Sequence, residues 1–161
     1  DWTWNTVATA SFEDGNGVLQ YFEFDPKGVH VGDAAQIQAA GMIRYEPIRN
    51  LYFKLKYTYF AKHYADFQPE DLDEEDLYGR ESWKTPSYGL MDFHAGYKLP
   101  IKDVDLRISF NALNLLGTKY ISDARNNDSF NRQPFDDFDA KSASVFFGQG
   151  FRYSTSIKLK I

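Results

Sequence analysis

Six stretches of this chain alternate apolar and polar residues with a period of two: 2–12, 36–46, 51–64, 88–99, 104–115 and 145–161. Successive side chains of a β-strand point to opposite faces, so such a stretch gathers its apolar residues on one side. In 51–64, Leu51, Phe53, Leu55, Tyr57, Tyr59 and Ala61 oppose a face that holds Lys54, Lys56, Thr58 and Lys62. In 145–161, Val145, Phe147, Phe151, Tyr153, Ile157, Leu159 and Ile161 oppose Phe146, Gly148, Gly150, Arg152, Ser154, Ser156, Lys158 and Lys160. Strands in soluble domains average about 5 to 6 residues. The stretches here run roughly 11 to 17, and no helical period of similar quality lies between them. The predicted fold class is therefore all-β, an antiparallel meander of six long strands.

The connections fall into two kinds that alternate. Residues 47–50 and 100–103 are short, Pro-led turns, whereas 13–35, 65–87 and 116–144 are long and rich in Gly, Asp, Asn and Pro. Soluble domains join their elements mostly with about 4 to 6 residues, whereas outer-membrane barrels have short turns at one end and long loops at the other. A membrane-crossing strand needs about 9 to 11 residues, and all six stretches reach that length. The implied arrangement puts the apolar set against lipid and the polar set in a wet lumen, with Trp2, Trp4, Tyr45 and Tyr97 as an aromatic girdle near the short-turn end.

Composition agrees where it bears on the choice. Aromatic residues make up 17% of the chain while a quarter of it is charged, a combination that suits alternating strands. No apolar run approaches the ~18 residues of a membrane helix, which excludes helical spanning only. The net charge of −5 disfavours nucleic acid as a partner, and the absence of cysteine removes disulfides and thiolate metal sites. Six strands are too few for a barrel whose smallest natural form has about eight, so the chain is expected to be the end of something larger.

Particular segments point further. The run SWKTPSYGLMDFHAGYKLP at 82–100, followed by DLRISFNALNLLGTKYISDA at 105–124, resembles the closing strands of TonB-dependent outer-membrane receptors of the Bacteroidetes type. WTW at 2–4, GVHVGDAAQ at 28–36, YADFQP at 64–69 and VFFGQGFR at 145–152 are similar to the same family, so the resemblance touches nearly the whole chain. It implies the C-terminal six strands of a plugged barrel of about 22 strands that imports a scarce nutrient, such as a siderophore, vitamin or glycan, in a Gram-negative outer membrane. The implied partners are the bilayer and its lipopolysaccharide, the barrel's own N-terminal strands and plug, TonB acting through that upstream region, and the nutrient. The plug would lie upstream of Asp1. Ile161 departs from the family's habit of closing on an aromatic residue.

The site candidates follow from the same placement. Lys54, Lys56, Asp92, His94, Arg107 and Arg152 alternate into the predicted lumen, and Phe130, Arg132, Phe135 and Phe138 populate an extracellular loop able to stack on a ligand. His30, His63 and His94 have no metal-site spacing. No nucleophile elbow, phosphate loop or zinc pattern is present, so neither an enzyme nor a cofactor is expected. A soluble β-sandwich binding module, with the apolar faces meeting each other, and an outer-membrane barrel enzyme stay open as alternatives. The acidic run 71–77 lacks the glycine an EF-hand needs at its sixth position and reads as a solvated loop. Calcium binding there would raise the melting temperature on calcium addition, and Asp73→Asn with Asp76→Asn would abolish the rise; no shift in the unmodified protein rules calcium out.

Overall fold

The computed structural model describes residues 1–102, 104–127 and 137–160. In chain order the strands are β1 (Ala8–Glu13), β2 (Leu19–Phe24), β3 (Ile37–Ile48), β4 (Leu51–Ala61), β5 (Tyr88–Ile101), β6 (Val104–Leu113), β7 (Ile121–Asn126), β8 (Ala143–Phe147) and β9 (Arg152–Lys160). Every strand pairing is antiparallel. The protein is all-β, and among the described residues no helix is long and apolar enough to cross a membrane, which says nothing about crossing by strands.

The chain divides into two compact units. One of them, Ile37–Ala61 with Ser87–Tyr120 and Gly148–Ile161, is a five-stranded sheet in the order β3-β4-β5-β6-β9. Its hairpins close tightly. Ile48 pairs with Leu51 across Arg49 and Asn50, and Asn50 takes the left-handed conformation (φ 71°) that asparagine tolerates best after glycine. Register shifts between Tyr45 and Ile48, around Pro47, which has no N–H for the ladder and sits on an edge strand where that loss is tolerated. Ile101 pairs with Val104 to close the second hairpin.

Register sorts the sheet's chemistry. Directly paired residues share a face, so Ile43, Leu55, Phe93 and Ala112 lie on one side, as do Leu51, Tyr97, Ile108 and Ile157. On that side Phe53, Phe93, Phe110 and Tyr153 form a diagonal file of rings, with successive centroids 6.1, 6.3 and 6.4 Å apart. Ala95 and Ala112 between them leave room for the rings. No charged residue occurs on this face in any of the five strands. It is nevertheless exposed: Ile43 keeps 72% of its surface, Tyr153 and Ile157 70% each.

The second unit, Asp1–Gln36 with Lys62–Pro86 and Ile121–Phe147, is drawn from the connections between the sheet's strands and from the segment before β3. It holds two hairpins, β1 with β2 and β7 with β8. Its small core is Phe24, Val29 and Leu72. Leu72 belongs to the acidic run, which folds into two short 3-10 turns, Pro69–Leu72 and Glu75–Leu77.

Two expected strands are corrected. The stretch 2–12 is strand only from Ala8, and it pairs with β2 rather than with the large sheet. Asp14 directs this, because its Oδ1 accepts the backbone N–H groups of Asn16 and Val18 at 2.9 and 3.0 Å and closes a turn inside what reads as loop. Trp2 and Trp4 are tied to the 28–31 segment instead, the Trp4 amide donating to the Val29 carbonyl at 2.9 Å, and so belong to no girdle on the sheet. The stretch 145–161 is two strands in two sheets, β8 and β9, broken at Gly148–Gly150. There the Tyr120 ring occupies the place of a Gly148 side chain, since an added Cβ would fall 1.9 Å from Cζ. The Gly148 amide donates to the Tyr120 carbonyl at 2.9 Å, and the Asn114 amide group donates to the Gln149 carbonyl at 3.1 Å. These bonds turn the backbone out of any continuous ladder. Gly148→Ala should therefore cost about 1 to 3 kcal/mol, the usual penalty of overpacking, in urea denaturation, and Tyr120→Ala in the same chain should recover part of it. An unchanged midpoint in Gly148→Ala would contradict this packing.

Candidate functional site

The face of the five-stranded sheet opposite the rings gathers the sheet's polar groups. Arg44 pairs with Lys54, Lys54 with His94, His94 with Asn111 and Asn111 with Ser154, a polar row that crosses all five strands. The His94 Nδ1–H donates to Asn111 Oδ1 at 2.7 Å, and Asn111 Nδ2 donates to Ser154 Oγ at 3.4 Å. This chain sets the histidine tautomer and leaves Nε2 facing away from Asn111. Lys54, Lys56, Asp92, His94, Arg107 and Arg152 all alternate onto this one face. Asp92 already has a structural task there. Its Oδ1 accepts the Asn114 amide at 3.0 Å where the backbone leaves β6 in a left-handed turn (φ 49°).

Asn114 organises that exit. It is 5% exposed, its Nδ2 donates to the Thr118 carbonyl at 2.9 Å, and its Oδ1 accepts the Thr118 amide at 2.9 Å. Asn114 thus holds the end of β6 in place and is not offered to a ligand.

The connection unit contains a second polar concentration that spacing along the chain does not reveal. Asp33, His63, Asp66, Asp123 and Arg125 come from three separate connections. The Asp66 backbone joins two of them, its amide donating to the Ala124 carbonyl at 2.8 Å and its carbonyl accepting the Asn126 amide at 2.7 Å. Gly32 lies against the Asp66 carboxylate, where an added Cβ would stand 2.5 Å from Oδ1. Burial, then the negative charge of Asp33 and a hydrogen bond to it, then Asp123, push Asp66 up to about 6, against the pull of Arg125. Burial lowers His63, and among the described residues neither of its ring nitrogens has a partner. A cavity of about 330 Å³ opens beside this cluster, lined by Asp66, Asp123, Arg125, Asn127, Ser144 and Phe146 among others.

The remaining candidates are placed as follows. Phe138 is buried, with the Arg80 guanidinium 3.7 Å above its ring, so it supports the fold and is not presented to a ligand. Phe130, Arg132 and Phe135 lie outside the described residues. His30 stacks on Tyr64 at 4.0 Å, and its Nδ1 is 2.7 Å from Glu81 Oε2. No group of acidic or histidine side chains among the described residues has the geometry of a metal site. Compared with protein-family models, with curated proteins and with solved structures, the chain matches none of them.

Asp66 gives a pH signature of known sign. Its folded pKa lies above the unfolded value of 3.8, so the stability linked to its protonation is complete below that value and is lost as pH rises through about 6. His63 has the opposite sign, since its lowered pKa withdraws stability as pH falls below 6.5. The difference between wild type and Asp66→Asn isolates the first effect. Urea titrations should find the variant gaining on wild type between pH 4 and pH 7; a difference independent of pH would mean that the Asp66 carboxyl is not raised by folding.

Proposed function

We propose that this chain is a wall segment of an outer-membrane β-barrel, the C-terminal portion of a TonB-dependent receptor that binds a scarce nutrient and passes it to the periplasm. What supports the reading is the sheet's charge-free face. Its five register-locked strands of 12, 11, 14, 10 and 9 residues present only apolar, aromatic, small and hydroxyl side chains to the outside. A soluble domain rarely exposes an apolar patch larger than a few hundred Å², whereas hydrocarbon requires one.

The other assignments follow from that orientation. Lys54, Lys56, His94, Arg107 and Arg152 line the lumen, and Ile48–Leu51 and Ile101–Val104 mark the periplasmic rim. The connection unit is the extracellular part, where the nutrient is met. Further strands pair with the outer edges of β3 and β9, the two edge strands of the sheet. On this reading the plug, the TonB-contacting segment and the remaining strands of a barrel of about 22 are parts of the same receptor.

Arginine substitution tests the membrane part. Leu55→Arg or Ile108→Arg, on the charge-free face, should weaken folding into phospholipid vesicles by about 2 to 4 kcal/mol, while Thr58→Arg, on the polar face, should change it by less than about 1. Equal sensitivity on both faces would overturn the reading. The receptor part is tested by the upstream coding sequence: a plug-like domain and further alternating strands support it, and a signal peptide immediately before Asp1 overturns it.

A further inference from the structure

The polar face is not uniform. Towards the hairpin end its strands set cations against cations: Lys98 pairs directly with Arg107, and Arg107 with Lys158. Like charges opposite one another on adjacent strands, about 4.5 to 5.5 Å apart at Cβ, destabilise a sheet. Arg44 opposite Lys54 repeats the pattern. Two adjoining cavities of about 460 and 200 Å³ open on this end, and their charged lining among the described residues is six cations to two carboxylates. The chain as a whole carries −5, so the local excess runs against its overall charge.

Two of the cations are held in fixed orientation. The Arg44 guanidinium lies 4.2 Å above the Tyr52 ring, and its Nε and Nη2 sit 2.8 and 2.6 Å from Glu46 Oε1. Tyr52 can lie flat across β5 only because residue 96 is glycine, where an added Cβ would come within 2.4 Å of the ring. The Arg107 Nε and Nη2 each donate to Asp105 at 3.2 Å, and Lys98 Nζ shares that carboxylate at 3.2 Å. Each arginine therefore spends part of its fork on one carboxylate and keeps the rest of its five donors for another group. Tyr52 and Gly96 line the same cavity as both arginines.

We propose that this groove binds a small oxyanion solute, one bearing a phosphate or carboxylate group. Guanidiniums that keep free donors match the geometry of such groups, and the larger cavity, which both arginines line, has the volume of a small-molecule site. A bound anion would also relieve the like-charge row that the sheet otherwise tolerates at a cost. The site rests on the groove alone and does not require the membrane reading.

The test uses the chain folded in uncharged detergent at low salt, with inorganic phosphate followed by phosphorus NMR. Phosphate should bind saturably, and Arg44→Gln and Arg107→Gln should each weaken it about tenfold, the loss of one charge-assisted contact. Arg44→Lys keeps the charge but not the fork and should weaken it too, whereas Lys119→Gln, exposed and outside the groove, should leave it unchanged. Circular dichroism checks that each variant keeps its strands. Absent or non-saturating binding by the wild type, or equal affinity in Lys119→Gln and both arginine-to-glutamine variants, would overturn the site.

Discussion

Cross-strand register is the constraint on which the rest depends. Side chains in a strand alternate without exception, so a slip of one residue between any two strands would carry lysines and arginines onto the ring-bearing face. Nothing of that kind occurs between β3 and β9. The tight hairpin at Ile48–Leu51 and the pairing of Ile101 with Val104 fix two of the four registers locally. The other two, β4 with β5 and β6 with β9, join strands that are distant along the chain. There the diagonal of Phe53, Phe93, Phe110 and Tyr153 spans the gap, and Asn114 pins both the turn after β6 and the segment before β9.

The connection unit solves a different problem. Long loops leave backbone groups to be satisfied, and here they satisfy one another through short hairpins, Asx turns and the Asp66 backbone bonds. Its apolar core is small, and its cohesion is mostly polar, with the buried Asn126, Ser82 and Ser142 among the groups involved. Within this unit Asp66, raised by burial and by the charge of Asp33 beside it, carries a distinct pH signature. On the proposed reading this is the part that meets the extracellular medium.

Much of the large sheet is legible in the sequence, because β3 to β6 carry clear alternations and the turns of the β3–β4 and β5–β6 hairpins have their own chemistry. The neighbour of β9 follows from a meander as well. Failures arise where a local pattern is overruled by contacts from afar. The alternation of 145–161 runs straight through Gly148–Gly150, and only the Tyr120 ring and the Asn114 amide reveal the break. The β1–β2 hairpin has a local signal, Asp14-Gly15-Asn16-Gly17, which a reading of 13–35 as loop passes over. The cluster of Asp33, His63, Asp66 and Asp123 has none, because its members are assembled by tertiary contact. The like-charge row Lys98, Arg107 and Lys158 lies between: each residue's face can be read, but their alignment needs the register.

The central claim is that the charge-free face meets hydrocarbon while the charged face meets water. The chain contains no cysteine, so single cysteines can carry a nitroxide spin label without interference. The direct measurement is its accessibility to oxygen and to a water-soluble nickel chelate in phospholipid vesicles, with labels at Ile43, Leu55 and Ile157 on one face and Lys56, Ser109 and Ser156 on the other. A lipid-facing sheet gives oxygen-rich, chelate-poor environments at the first three positions and the reverse at the second three. Chelate access at all six would contradict it.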